Sequence, residues 1–355
     1  MKNGFEKLLI ANSLSVKETM RKMDEVGEKI LFVMDAEMKL CGSVTDGDLR
    51  RWILKEGGLA EPIFKVYHKN PVFFSGDEKI ESIRQKMIER KIDAAPVVDR
   101  ENRVVDVLFV RELTGKGTNV SRKPMRIPVL VMAGGKGTRL DPFTRILPKP
   151  LIPFGEKPII EIIMDHFQEF GCHDFFLTVN YKGKMIQTYF EQPENGYQVK
   201  LVWEDQPTGT AGSLKLAAPH IDAPHFFVTN CDILVKADYE DIYRFHHSNH
   251  YDITVVGSVQ HLSVPFGVLE VKNGGHLDRI VEKPELDLLV NTGMYVVRRE
   301  AADLIPEGVK FDFNEFMTKV KETGGRVGVY PVSQQSWIDL GQWQEYHTAL
   351  RNLEG

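Results

Sequence analysis

The sequence predicts an α/β sandwich built on a mostly parallel sheet over residues 127–355, preceded by a smaller α+β domain over residues 1–118 and a linker at 119–126. Three observations carry this expectation. Short apolar runs alternate with amphipathic stretches through the second part, the pattern of strands crossed over by helices. The first part repeats a unit of one helix and two strands. Between the parts, Leu113 to Pro124 is polar, glycine-rich and basic, as interdomain connections are.

In the first part, Val16–Met23 and Ile80–Met87 space their apolar residues as helices do. Each leads into an apolar strand, Ile30–Met34 and Ala95–Asp99. A turn and a second strand ending in acidic residues follow, Leu40 to Asp48 and Val104 to Glu112. Two such units would bury their apolar faces against each other. In the second part the expected strands are Val129–Met132, Phe175–Asn180, Val199–Glu204, Phe226–Asn230, Ile253–Ser258, Gly293–Val297 and Arg326–Pro331. Lys157 to Phe170 reads as a helix, with Pro158 in its first turn and Gly171 just past its end. The segment from Trp343 to Leu353, which includes Tyr346, reads as an amphipathic terminal helix packing on the sheet.

The chemistry is concentrated at Met132-Ala133-Gly134-Gly135-Lys136-Gly137-Thr138-Arg139-Leu140, followed by Leu147-Pro148-Lys149-Pro150. A strand runs into a glycine loop with two cations, and a third cation follows between prolines. Glycines let the backbone N–H groups approach a polyphosphate, and cations neutralise it. A phosphate-loop ATPase would need Ser or Thr after the lysine, but Gly137 follows Lys136. A dinucleotide loop would open straight into a helix, which Asp141-Pro142 argues against.

Gly-Gly-x-Gly-Thr-Arg-Leu with Pro-Lys-Pro resembles the signature of sugar-1-phosphate nucleotidyltransferases, a family with a Rossmann-like α/β sandwich. The resemblance spans the second part. Gln206-Pro207-Thr208-Gly209-Thr210-Ala211-Gly212 resembles the second nucleotide loop, Asn230-Cys231-Asp232 a metal-binding strand end, and Pro265-Phe266-Gly267-Val268 a sugar-contacting turn. Glu282-Lys283-Pro284, Asn291-Thr292-Gly293 and Trp337-Ile338-Asp339-Leu340-Gly341 follow in the family's order. It implies that Arg139, Lys149 and Lys283 act on the phosphates, while Gly134, Gly135, Gly137, Thr138, Gln206 and Gly212 bind the nucleotide. Gly267, Glu282, Asn291 and Thr292 would hold the sugar, and Asp232 and Asp339 would bind Mg²⁺. A phosphate nucleophile is already ionised, so positioning and electrostatics would suffice without a general base.

The repeat over residues 8 to 118 resembles a tandem pair of cystathionine-β-synthase-type (CBS) motifs, most specifically at Gly42 to Leu49. By that resemblance Thr45 and Asp48 would contact an adenine nucleotide, a possible regulator. Phe109 stands at the equivalent position of the second repeat. Two plainer readings remain: the pair serves docking or dimerisation, and Thr45 and Asp48 cap a helix. Paired CBS motifs associate in twos, so a homo-oligomer is expected.

The net charge of −5 argues against a nucleic-acid partner. No apolar run spans a membrane and no secretory leader is visible, which points to the cytoplasm. Three separated cysteines, Cys41, Cys172 and Cys231, suit neither disulfides nor a metal site. His246, His247 and His250 read as a solvated helix end rather than a zinc site. The expected enzyme joins a nucleoside triphosphate to a sugar 1-phosphate. Its domain order is similar to that of glucosamine-1-phosphate guanylyltransferases of bacterial GDP-legionaminic acid pathways, implying GTP and glucosamine 1-phosphate. Mannose or heptose 1-phosphate as acceptor, and CTP or dTTP as donor, are the alternatives. A nucleotide-sensing protein without turnover is the reading from a different class.

Overall fold

The computed structural model describes residues 4–90, 92–114, 124–192 and 196–354. The chain divides into two compact units, Met1–Arg122 and Lys123–Gly355. The expected linker at 119–126 falls largely outside the described residues.

In the first unit, β1 (Leu9–Ala11), α1 (Val16–Val26), β2 (Ile30–Met34), β3 (Leu40–Thr45) and α2 (Asp46–Leu54) form one repeat. β4 (Phe74–Ser75), α3 (Ile80–Glu89), β5 (Ala94–Val98), β6 (Val104–Phe109) and α4 (Val110–Thr114) form the other. In each, the middle strand pairs parallel to the first and antiparallel to the third. The leading strands β1 and β4 are additions to the expected helix-strand-strand unit, too short to alternate visibly. Sequence chemistry fixes the ends. Ser15 and Glu18 make a reciprocal cap on α1, and Gly27 closes it in the left-handed region. Matching turns use Asp35, whose Oδ1 accepts from the N–H groups of Glu37 and Lys39, and Asp99, which does the same for Glu101 and Arg103. The repeats meet where Leu40 N–H donates to Asn102 O at 2.9 Å and Asn102 Nδ2 returns a bond to Leu40 O at 3.1 Å.

The second unit runs β7 (Val129–Met132), a two-strand ribbon β8 (Pro153–Phe154) and β9 (Lys157–Pro158), α5 (Ile159–Gln168), β10 (Asp174–Val179), α6 (Gly183–Phe190) and β11 (Gln198–Trp203). It continues with α7 (Gly209–Ala217), β12 (His225–Asn230), β13 (Ile233–Val235), α8 (Tyr239–Ser248), β14 (Ile253–Ser263), β15 (Val268–Val271), β16 (Leu277–Val281) and β17 (Glu285–Arg298). α9 (Phe313–Glu322), β18 (Val327–Val332), β19 (Trp337–Asp339) and α10 (Trp343–Glu354) complete it. The main sheet has the order β11-β10-β7-β12-β17-β14-β18. All its strands run one way except β17, which is antiparallel to both neighbours.

Residue alternation builds the layers. Val129, Val131, Phe175, Leu177 and Phe227 pack on one face with Ile163 and Phe167 of α5 and Ile242 of α8. Leu130, Met132, Phe176, Phe226 and Val228 pack on the other with Leu214 of α7 and Phe316 of α9. Both faces are covered, which explains the continuous apolar runs. The chain order reverses between β7 and β12, so a crevice opens at their carboxyl ends. No described helix is long and apolar enough to cross a membrane.

β14 and β17 are longer than expected. Beyond Ser258 they continue as a two-stranded ribbon, and β15 pairs with β16 near its tip. Leu262, Phe266, Leu269, Ile280 and Leu288 are exposed on this arm. Without a buried face it lacks the pattern by which strands are read.

Candidate active site

The glycine loop leaves β7 at the crevice. Gly137 takes φ 67°, and a Cβ there would press within 2.9 Å of Thr144 Cγ2 and 3.0 Å of Lys149 Cβ. Glycine at 137 therefore lets the loop lie against Lys149. The N–H groups of Gly134, Gly135 and Lys136 donate to no described group, and Gly135 faces open space. Thr138 and Arg139 begin a short 3-10 turn. Lys136 and Arg139 are exposed and pair with no described carboxylate. Free donors and unpaired cations at a strand end make an anion cradle.

Lys149 and Asp232 are only 8% and 4% exposed, and they form an ion pair. Asp232 follows β12, and Asp339 ends β19, which pairs with β13 in the register Ile233↔Asp339. Leu340 N–H donates to Asp232 O at 2.8 Å and Gly341 N–H to Asp339 Oδ1 at 2.9 Å. A Cβ on Gly341 would overlap Asp232 Oδ2 and stand 2.8 Å from Lys149 Nζ and 2.9 Å from Asp339 Oδ1. Three charges distant in sequence thus converge on one bare α-carbon. Beside them, burial pushes the Cys231 thiol up to about 12, with the Asp232 charge adding to it. That cysteine stays a neutral packing group.

The expected sugar residues divide into two groups. Opposite Val255 to Gly257, β17 bulges at Thr292-Gly293. Gly293 has φ 84°, and a Cβ there would overlap Asn230 Nδ2, so this bulge lies against the strand end that leads to Asp232. Asn291 is exposed, donating from Nδ2 to the Tyr295 hydroxyl at 2.9 Å. Thr292 is 2% exposed and its hydroxyl donates to Val256 O, so it braces the bulge rather than facing solvent. Gly267, Glu282 and Lys283 lie together on the arm: a Cβ on Gly267 would come 2.8 Å from Glu282 Oε2, and Lys283 N–H donates to Phe266 O. No hydrogen bond or ion pair joins Glu282 or Lys283 to Lys149, Asp232 or Asp339.

Gln206 is exposed at the start of the second loop. Gly212 differs from its expected part: its N–H already donates to Phe311 O at 3.0 Å, and a Cβ would strike Thr208. Its bareness serves packing within α7, and residues 311–312 brace the loop, with Asp312 Oδ1 accepting from Thr210 N–H at 3.0 Å.

Thr45 and Asp48 form the capping box of α2. Thr45 Oγ1 donates to Asp48 Oδ2 at 2.7 Å, Asp48 N–H returns a bond to Thr45 Oγ1 at 3.2 Å, and Asp48 Oδ1 pairs with Arg51. This is the plainer of the two readings. Phe109 lies under the Arg111 guanidinium, 4.1 Å from its centre.

The histidine expectation needs correction. His247 and His250 are exposed, but His246 is fully buried. It lies on the inner face of α8 with Tyr239 and Ile242, Nε2 against His225 Nδ1 at 3.0 Å and Nδ1 against Thr254 Oγ1 at 2.9 Å. Burial lowers it to about 3, so the imidazole is neutral.

Sequence reasoning missed Glu204 and Gly341 as site residues. Gly341 was visible two places after Asp339. Glu204 follows the last residue of β11 and is 7% exposed beside Gly134.

A two-faced sheet, a bare-backbone anion cradle and paired carboxylates across the switch point define a phosphate-binding α/β protein. The chain belongs to the nucleotidyl transferase family, whose model matches residues 128–355; a CBS domain model matches residues 63–116. It is 32% identical over 228 residues to a mannose-1-phosphate guanyltransferase of Yarrowia lipolytica, covering 61% of each chain. With the mannose-1-phosphate guanyltransferase of Pichia angusta it shares 32% over 235 residues, 62% of each. The chain thus spans about three fifths of the length of these relatives. The crystal structure of HddC from Yersinia pseudotuberculosis superposes with a TM-score of 0.51 at 26% identity, over 64% of this chain and 99% of that one.

Proposed function

We propose that this protein transfers a guanylyl group from GTP to a sugar 1-phosphate, with mannose 1-phosphate as the favoured acceptor. The observation that carries the transfer reading is the convergence of Lys149, Asp232 and Asp339 beside the glycine loop. The likeness to the two fungal mannose-1-phosphate guanyltransferases supports both substrates. It favours mannose over the glucosamine 1-phosphate suggested by domain order.

In this reading the acceptor's phosphate oxygen attacks the α-phosphorus as the bond to the β-phosphate oxygen breaks, and pyrophosphate leaves with the electron pair. The N–H groups of residues 134–136 and Arg139 hold the polyphosphate, Arg139 through its fork of donors. Lys149 neutralises charge near the α-phosphate, and Lys283 holds the acceptor phosphate. Glu282 and Asn291 would contact sugar hydroxyls.

Asp232 and Asp339 suit Mg²⁺. Among the described residues no three His, Cys, Asp or Glu side chains group to hold a metal. Two carboxylates that leave room for phosphate oxygens match a hard cation arriving with its nucleotide. When bound, the ion would offset the charge gathering on the phosphates. The CBS pair would serve regulation or assembly.

The test is pyrophosphate release with Mg²⁺, each common nucleoside triphosphate and a panel of sugar 1-phosphates. GTP with mannose 1-phosphate is the expected best pair. Silence across the panel would leave a nucleotide-sensing protein instead.

A further inference from the structure

Between the glycine loop and Lys149 runs an irregular segment, residues 141–147, whose backbone is held by side chains from elsewhere in the unit. The Trp343 indole N–H donates to Asp141 O at 3.0 Å and the Tyr181 hydroxyl to Thr144 O at 3.3 Å. Lys182 Nζ donates to Ile146 O at 2.8 Å and also to Arg145 O. The bond to Asp141 bears most directly on the anion cradle. Thr138–Leu140 form a single 3-10 turn, and the Asp141 N–H closes it by donating to Thr138 O at 3.3 Å. Arg139 is the middle residue of that turn. Asp141 is thus held at its N–H by the turn and at its carbonyl by Trp343.

Trp343 is itself anchored. It begins α10, just past Gly341, on which Lys149, Asp232 and Asp339 converge. Its ring lies 5.0 Å from that of Phe143 and 5.8 Å from that of Tyr346. Tyr346 is buried, packs edge-on against Phe154 at 5.7 Å and donates its hydroxyl to Pro153 O. α10 therefore grips the chain both before and after Lys149. A single 3-10 turn has poor hydrogen-bond geometry, so its surroundings hold it more than its own bonds do. The external donor on Asp141 supplies that hold, and it comes from the same stretch of chain as Asp339.

We propose that Trp343 is a positioning residue for the triphosphate: through Asp141 it sets the turn that carries Arg139 and keeps that turn in register with Asp339. It touches no substrate. This rests on the proposed binding of a nucleotide at the glycine loop, but not on the identity of the base or the sugar. An indole placed for packing alone would need only its ring area, whereas positioning by this route needs its N–H.

The experiment is calorimetric titration of the full-length protein with GTP, ATP, CTP and dTTP in Mg²⁺, at about pH 8 where imidazole is neutral. The variants are Trp343→Phe, Trp343→His, Arg139→Ala and the double variant Trp343→Phe with Arg139→Ala. Phenylalanine keeps the aromatic bulk without a donor; histidine keeps a ring N–H at the place of the indole N–H with less bulk. Trp343→Phe should bind the preferred triphosphate about tenfold more weakly than wild type while melting within a few degrees of it. Trp343→His should melt lower than Trp343→Phe yet bind roughly threefold or more tightly. With Arg139 already replaced, adding Trp343→Phe should cost less than about twofold, because the residue it positions is gone. A packing role reverses the order of the two Trp343 variants. That reversal, wild-type affinity in Trp343→Phe, or a tenfold loss that persists undiminished in the Arg139→Ala background overturns the proposal, as does a wild type that binds no triphosphate. If Trp343→His fails to fold, the cycle of Trp343→Phe with Arg139→Ala still decides. Pyrophosphate assays tell the two readings apart. Turnover with affinities indifferent to Trp343 removes its role alone, and the coupled loss of affinity without wild-type turnover removes the transferase reading alone.

Discussion

Gly341→Ala puts the convergence of charges to its sharpest test. The new methyl would overlap Asp232 Oδ2 and stand 2.8 Å from Lys149 Nζ and 2.9 Å from Asp339 Oδ1. Ordinary contact requires about 3.5 Å, so Lys149 and Asp339 must each retreat by roughly half an ångström and Asp232 by more. Asp339 is tied to the Gly341 N–H and to Gln342 Nε2, and Leu340 is tied to Asp232 O. The strain therefore falls on the carboxylates themselves. Overpacking of this kind costs about 1–3 kcal/mol of stability. Displacement of a positioned group by an ångström costs about a hundredfold in rate. The expected variant is folded, melts a few degrees lower, and has kcat reduced about a hundredfold. The Mg²⁺ concentration it needs should also rise. The assay is pyrophosphate release across a Mg²⁺ titration, with circular dichroism to follow the fold. A variant with wild-type kcat and wild-type Mg²⁺ dependence would refute the idea that these three charges act at one point.

Other outcomes follow from the same geometry. Asp232→Asn should cut turnover at least a hundredfold or so and, by leaving Lys149 buried and unpaired, cost about 3 kcal/mol in denaturant titrations. Arg139→Ala should raise KM for the triphosphate roughly tenfold or more while leaving the melting temperature unchanged, because the exposed side chain pairs with nothing described. His246 is held neutral with its value lowered to about 3, against an ordinary 6.5. Between those values the unfolded chain binds the extra proton. Stability should therefore fall as pH drops from 6.5 toward 3, by up to about 1.4 kcal/mol per pH unit from this group. Denaturant melts at pH 7, 5.5 and 4.5 would show it, and His246→Gln should flatten the fall. Thr45→Val should remove about 1 kcal/mol of capping from the first unit, seen as faster amide exchange in α2, with catalysis unchanged.

The parts legible in the sequence were those whose physics is local. Val129–Met132 is a strand at its expected ends because its apolar residues are buried on both faces. The glycine loop was readable because Gly137 must take a left-handed conformation against Lys149. The reversal of β17 was not readable, since a strand's own residues do not record its direction. Nor was the length of the arm, where no packed face imposes a pattern. His246 was misjudged by grouping it with two neighbours in sequence, when helical spacing from Tyr239 and Ile242 turns it inward. Glu204 was passed over because a charge at a strand end ordinarily signals a connection. Its burial comes from the approach of Gly134, which is far away along the chain.

The backward course of β17 has a consequence for how such a protein diversifies. A forward strand gives the crevice the loop that follows it. β17 instead brings the chain that precedes it, so the arm leaves the crevice end of the sheet as an insertion between two core strands. On the proposed roles, choice of acceptor and choice of donor lie on separate lengths of polypeptide. Evolution can redraft one without renegotiating the other, and an engineer could graft a relative's arm in place of residues 259–291 to change the sugar while keeping the nucleotide.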